Sequence, residues 1–512
     1  MKLLKIQTAF IIAVIITALY LMISSLNYTG FTVDEYNYYQ NGKDLVTNFR
    51  WDTQLIRNHP PLTFYVHGLV SYLNLSKGSL ATELNYERIG MMIFFVALAI
   101  SMYFLSKKYF GWLAAVLALI LCCFNIEILA HSRLITPDSA ITLFIFLTVI
   151  FLEEFFVKPT VRNGLLLSVF LGLALLSKYT ALMLYPISLF LGLIYITFFS
   201  KFKKITIFSR LLIVFLLAAF VVNFGYGFSG SLQLPENYLS KSMQKMNSNV
   251  FTANLLRIFP KPYLQGVDWQ MNESQKPWMA GNFFRGKYSN FGFKDFFCLT
   301  FVFKTQTSLL ILILLNLYLI FFRKKPRFLN FSVLFTAIFY LIYFSLFSNL
   351  NIGFRYLLPI YPLLILWVSQ IINLKFKTEK LQRGFYFLLV LLVFWYVLAA
   401  VKIHPYYLAY ANEFVGGPKN SWKLWADSTV DWAQDNSHAA VYLKKYQQIQ
   451  LNPRHPMEGL MAVSINDMNM YYFNDYQWLR KLDKDPVETI GYTWLIFDIT
   501  RNDYQKITQT TD

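Results

Sequence analysis

The sequence predicts an all-α polytopic membrane protein of about eleven spans, with a small mixed α/β region beyond the last of them. Three observations carry this reading. Hydrophobic residues make up 56% of the 512, aromatics 19% and charged residues only 14%, against roughly 45–50% apolar and about 25% charged in soluble domains. Apolar runs long enough to cross a bilayer as helices recur along the chain. Short basic runs separate them at a regular alternation. Together these exclude a cytosolic enzyme and a disordered chain. Three cysteines, Cys122, Cys123 and Cys298, cannot form a disulfide framework.

The first span, 8–27, follows Met1-Lys-Leu-Leu-Lys5 and reads as an uncleaved signal anchor. The others are expected near 89–105, 112–130, 138–157, 164–178, 180–200, 206–227, 298–322, 329–348, 354–374 and 384–403. Lys178 interrupts the pair 164–200. With eleven spans, the runs at Lys2/Lys5, Lys107-Lys108, Lys158/Arg162, Lys201–Arg210, Arg323–Arg327 and Lys375–Arg383 share one side. Basic residues in short loops mark the cytoplasm. The N-terminus is therefore expected inside and the C-terminus outside, and the net charge of +18 needs no nucleic-acid partner.

The outside holds nearly half of the chain, in loops 28–88 and 228–297 and in the tail 404–512. Loops of that length are usually folded or functional. The expected organisation is a membrane module, 1–403, and an extracytoplasmic C-terminal domain, 404–512. The tail carries Trp422, Trp425, Trp432, Trp478 and Trp494 and a strand-like run, Thr493–Asp498.

Ionisable residues near a membrane are costly and usually retained for a reason; here they gather at the outer ends of spans. Asp34-Glu35 opens the first outer loop. The pair could hold a general base beside a second acid, or a divalent cation together with His59. Thr32 and Glu35 equally fit a capping box opening a helix over Asp34–Val46. His59-Pro60-Pro61 is a rigid turn whose His could contact a substrate or only hydrogen-bond backbone. In Arg133-Leu-Ile-Thr-Pro137-Asp138, Asp138 suits a helix N-terminus, whereas Arg133 runs against the orientation bias. Lys178 and Arg355 could each snorkel to headgroups; together, fixed cations outside favour a lipid-linked phosphate.

These segments resemble, in order and over most of the chain, the bacterial membrane glycosyltransferases of family 39, whose superfamily includes protein O-mannosyltransferases and lipid A aminoarabinose transferases. The segments are Asp34-Glu35, His59-Pro-Pro-Leu62, Arg133–Asp138, Leu175–Leu182 and Gly353-Phe-Arg355-Tyr-Leu-Leu-Pro359-Ile-Tyr-Pro362. The most specific are His404–Pro418 and Asp427-Ser-Thr-Val-Asp431-Trp-Ala-Gln-Asp435. Loop 228–297 is too short for the sugar-binding insert of eukaryotic members.

The resemblance implies a GT-C-type helix bundle and a polyprenyl-phosphate sugar donor entering from the bilayer of a bacterial inner membrane. It implies a hydroxyl acceptor on a protein, lipid or surface glycan. Asp34 would be the base of an inverting displacement and Glu35 its helper. Arg133, Lys178 and Arg355 would bind the donor phosphate, and His59, Asp138 and Tyr356 would contact substrate. No cofactor is required, although a divalent metal could bind through Asp34, Glu35 and His59. A transporter or lipid-linked sugar flippase is the competing class, but it predicts mid-membrane charges and paired repeats, neither of which the sequence carries.

Overall fold

The computed structural model describes residues 2–51, 58–73, 78–199, 204–320 and 327–509. The first span, α1 (Lys2–Ser25), leads to two outer helices, α2 (Val33–Asn48) and α3 (Leu62–Tyr72), and then to α4 (Leu80–Met91), which continues into α5 (Ile93–Phe110). Next come α6 (Trp112–Cys123), α7 (Ile126–Ser132), α8 (Asp138–Val157), α9 (Val161–Ser177), α10 (Leu184–Phe198) and α11 (Lys204–Gly225). Loop 228–297 folds into three further helices, α12 (Lys241–Ser248), α13 (Val250–Leu256) and α14 (Lys261–Gln275), and an antiparallel hairpin, β1 (Asn282–Phe284) with β2 (Lys287–Ser289). The bundle closes with α15 (Phe296–Lys304), α16 (Thr307–Ile320), α17 (Phe328–Phe347), α18 (Ile360–Ser369) and α19 (Glu379–Ile403).

Among the described residues, seven helices are long and apolar enough to cross a bilayer. Two bent pairs also qualify, α6 with α7 at 57° and α15 with α16 at 108°. The remaining expected spans, 164–178 and 354–374, coincide with shorter apolar helices. Among the described residues, length and apolarity establish seven crossings, or nine if each bent pair is one span. On α17, Phe331, Phe335 and Phe339 follow one another at helical spacing with centroids about 6 Å apart, and Phe335 stacks on Phe190 of α10 at 4.5 Å.

The two ends of the bundle differ in chemistry. At one end, Lys108 pairs with Glu154 at 2.6 Å, Arg210 donates to the Pro159 carbonyl, Arg327 to that of Tyr109, and Asn373 to that of Phe110. These residues belong to the loops expected inside; the basic residues at 201–203 and 323–325 lie outside the described residues. Asp138 stands at the opposite end of α8 from Glu154, about 24 Å away at 1.5 Å per residue.

At that opposite end, α2 crosses α3 in backbone contact. A Cβ on Gly68 would meet the Gly42 carbonyl, so only glycine permits the approach. Glu35 lies on the first turn of α2, fully buried, and accepts from Arg88 Nε of α4 at 2.9 Å, from Ile135 N at 3.1 Å and from Thr32 N at 3.1 Å. The acidic half of the expected capping box is thus present, and the helix begins within a residue of the expected Asp34. The same carboxylate ties three segments together.

The tail begins with turns and 3-10 segments over 404–435 that hydrogen-bond into the bundle. Buried Lys304 donates to the carbonyls of Leu408 and Thr429 at 2.7 and 2.8 Å, and Asn412 to those of Val302 and Thr305. Gly30 N donates to Gln434 O, and Val33 N to Trp432 O. Beyond these turns lie α20 (Asn436–Lys445), β3 (Gln450–Leu451), β4 (Gly459–Ser464), α21 (Gln477–Lys481), β5 (Glu488–Ile490), β6 (Trp494–Ile499) and α22 (Arg501–Gln509). The four strands form a mixed sheet in the order β3-β4-β6-β5, and the expected strand over 493–498 is β6.

Removing one member of a buried ion pair leaves the other uncompensated and costs roughly 3–5 kcal/mol. Glu35→Ala should therefore lower the melting temperature in detergent sharply, and Glu35→Ala/Arg88→Met should recover most of the loss. A single variant that melts like the wild type contradicts this structural role.

Candidate functional site

Four outer ends converge on one cluster of charges. Asp34, on the first turn of α2, accepts from Arg355 Nη1 at 3.0 Å. Arg355 sits on a 3-10 turn, Phe354–Leu357, that the following Pro359 keeps from running straight into α18. Its guanidinium also lies 3.9 Å from Asp138 Oδ2 and 4.2 Å over the Trp432 ring. Asp138 opens α8, and its Oδ1 accepts from Lys178 Nζ at 2.8 Å. Lys178 stands where α9 breaks into extended backbone, with its ammonium 4.6 Å over the Tyr356 ring. Two carboxylates and two cations thus alternate.

The cluster keeps unused hydrogen-bonding capacity. Asp138 Oδ2 accepts no hydrogen bond and Arg355 Nε donates none, although both are buried. His59 packs against Tyr38 at 5.6 Å, its Nδ1 without a partner. Burial, helped by Lys178 and Arg355, holds the imidazole well below its usual range and therefore neutral. Buried polar atoms left unpaired are costly in a finished interior and normal where a ligand belongs. Only Asp34 among the three expected acids is reachable: its side chain is 30% exposed, against 0% for Asp138 and Glu35.

Two expected site residues lie elsewhere. Glu35 points away from Asp34 into the Arg88 pocket. Burial works against its ionisation, but the Arg88 guanidinium and two backbone N–H groups hold its carboxyl below the usual range. It is a structural anion, one helical step from the reachable one. Arg133, expected with Lys178 and Arg355, donates instead to Ser25 O, Ser25 Oγ and Thr29 Oγ1, and lies 5.3 Å over the Tyr407 ring. It joins the end of α1 to the start of the tail. Among the described residues, no group of three or more His, Cys, Asp or Glu could hold a metal, so Asp34, Glu35 and His59 do not make a three-ligand site.

Tyr356 connects the cluster to a groove of about 160 Å³ lined by Tyr179, Met183, Val267, Met271 and Phe344. The groove is mostly apolar and lies between α14, α17 and the turn before α10. The site also uses tail residues that sequence reasoning left without roles. Trp432 covers Arg355, and the Ser428 hydroxyl donates to Ile352 O, beside a Gly353 whose missing Cβ leaves room for it. Burial pushes the neighbouring carboxyls of Asp427, Asp431 and Asp435 up to about 6, 7 and 8. Their signal in the sequence was the 427–435 segment itself.

The family model for dolichyl-phosphate-mannose-protein mannosyltransferases matches residues 58–224, less than half of the chain. Comparison with curated proteins returns no match. Among solved structures, the chain superposes on ArnT from Cupriavidus metallidurans bound to undecaprenyl phosphate. The TM-score is 0.52 at 12% identity, covering 96% of this chain and 98% of that one. It also superposes on the archaeal oligosaccharyltransferase AglB from Archaeoglobus fulgidus in complex with an inhibitory peptide and a dolichol-phosphate. Here the TM-score is 0.50 at 13% identity, covering 76% of this chain and 55% of that one. At these identities the likeness is one of fold: a polytopic helix bundle of the GT-C type, in line with the resemblance read from the sequence.

The three tail carboxyls have a consequence for stability. Unfolded, Asp435 titrates near 3.8; folded, near 8. Between those values the native state holds the extra proton, so this contribution is present at low pH and is lost as pH rises through about 8. Asp435→Asn should flatten the fall in melting temperature between pH 6 and 8.5, and an unchanged slope would contradict the assignment.

Proposed function

We propose that the protein is an integral-membrane glycosyltransferase that moves a sugar from a polyprenyl-phosphate donor to a hydroxyl acceptor on a protein, lipid or surface glycan. The alternating chain Asp34–Arg355–Asp138–Lys178 beside the apolar groove carries this reading. A donor of this class has an apolar tail, a phosphate and a sugar. The groove suits the tail, and the cations at its end suit the phosphate. The lipid phosphates named in the ArnT and AglB structures support the same donor class.

The reaction is a direct, inverting displacement. The acceptor oxygen bonds to the anomeric carbon as the bond from that carbon to the phosphate oxygen breaks, and the electron pair leaves with the phosphate. The acceptor proton passes to Asp34, the one exposed carboxylate of the cluster. Arg355 and Lys178 offset the charge growing on the phosphate. Arg355 has a second use: it holds the Asp34 carboxylate in place by donating to it at 3.0 Å, and an arriving phosphate competes for the same guanidinium. Base and leaving group are thereby coupled through one side chain. His59, neutral beside two cations, can donate or accept toward substrate without adding charge. The displacement needs no cofactor.

The orientation consistent with the basic loops puts this cluster on the extracytoplasmic side of a bacterial inner membrane. Asp34→Asn keeps the shape and an oxygen for Arg355 but removes the base, a change worth roughly 10²–10⁴-fold. The test is turnover of a panel of radiolabelled polyprenyl-phosphate sugars by protein in nanodiscs, with and without cell-envelope extract. Turnover of one donor that collapses in Asp34→Asn is expected. Equal turnover by the variant, or every donor left intact in the presence of extract, contradicts the proposal.

A further inference from the structure

A cleft in the tail is lined by none of the residues of the charge cluster. It has a volume of about 650 Å³ and is formed by the loop after β3, the segment leading into α21, α21 itself and α22. Clefts of this size are typical of small-ligand sites. Its chemistry is not that of an apolar docking groove. Arg454 lies over Tyr472, 3.6 Å from the ring centroid, and makes no hydrogen bond or ion pair among the described residues. Stacking of this kind fixes the guanidinium plane and leaves its N–H edges free, the geometry that takes a carboxylate or phosphate in a bidentate manner. Lys481 lines the same cleft and is likewise unpaired among the described residues. Of the two acids present, Asp503 is consumed by Lys484 at 2.5 Å and by Thr500 at 2.6 Å, leaving Asp475 as the only one without an ion pair among the described lining residues.

The neutral groups are those that recognise hydroxyls. The amides of Asn474 and Gln477 are bonded to each other at 3.3 Å and present their remaining atoms at the wall. Trp478, only 8% exposed, lines the cleft with its indole N–H unpartnered. A buried indole N–H without an acceptor is costly, and the rest of the side chain gives the cleft an aromatic wall. Two cations, an aromatic wall and planar amides occur here on the part of the chain that lies outside the bilayer in the expected orientation.

We propose that this cleft binds a saccharide carrying an anionic group, a carboxylate or a phosphate, as part of the acceptor chain. Its placement in the acceptor rests on the transferase reading; its ligand chemistry does not. Arg454 and Lys481 hold the anion, the amide pair holds neighbouring hydroxyls, and Trp478 packs against the sugar. A long acceptor anchored here would reach the membrane mouth at a raised local concentration.

The test uses the full chain in detergent with three probes: a fluorescent hexasaccharide of alternating hexuronic acid and hexosamine, its carboxyl-reduced analogue, and a neutral hexasaccharide carrying phosphate esters. Binding of the carboxylate or of the phosphate hexasaccharide is expected, and which one binds names the anion. Arg454→Ala and, separately, Lys481→Ala should each weaken it about tenfold or more, the scale of one charge-assisted contact. Binding should fall with added salt. Asp34→Asn should bind the probe as the wild type does, which separates this site from the transfer step. The proposal is overturned if neither anionic probe binds, if the reduced analogue binds equally well, or if both cation variants bind like the wild type.

Discussion

Charges cannot be left unpaired where water is scarce, and that constraint organises the outer half of this molecule. Asp34, Arg355, Asp138 and Lys178 come from four segments far apart in sequence. None could be buried alone, so their mutual pairing draws α2, α8, the end of α9 and the turn before α18 to one point. A second set, Glu35 with Arg88, performs the same task one helical step away without leaving anything reachable. What separates the candidate site from its structural neighbour is therefore satisfaction. Glu35 has all its partners, whereas the cluster retains an open carboxylate oxygen, an open guanidinium N–H and one exposed acid.

The tail contributes to this arrangement as directly as the spans do. Trp432 lies over Arg355 and restricts the orientations its guanidinium can take. Ser428 fastens the tail to the backbone just before Arg355, and Gly353 allows it to come that close. The Arg355 guanidinium is thus held between the Asp34 carboxylate and an indole.

Much of the architecture was legible because bilayer physics is severe. Twenty apolar residues with a basic run at one end admit few readings, and the expected spans correspond to helices, bent pairs or shorter apolar helices in the structure. Lys178 and Arg355 were legible for the same reason, as cations on the unfavoured side. Direction was not legible. Asp34 and Glu35 are adjacent in sequence, and only the packing of α2 on α4 decides which faces the cleft. Arg133 is a cation on the expected side, yet its partners Ser25 and Thr29 lie more than a hundred residues away and left no pattern in the sequence. Trp432 was visible as a tryptophan, but its stacking on Arg355 depends on a tertiary approach that no local period encodes.

The contacts of Lys304 bear on how such a chain matures. Its ammonium is buried at the end of α15 and donates to two carbonyls, Leu408 and Thr429, that are synthesised more than a hundred residues later. Until the stretch after the last span folds back onto the bundle, this lysine has, among the described residues, Glu127 at 3.4 Å to compensate it. Insertion of the spans and completion of the fold are therefore separate events in biosynthesis. A ribosome stalled just past α19 would leave every apolar helix in the bilayer with an under-compensated cation among them, a state that membrane quality control could distinguish from the finished protein.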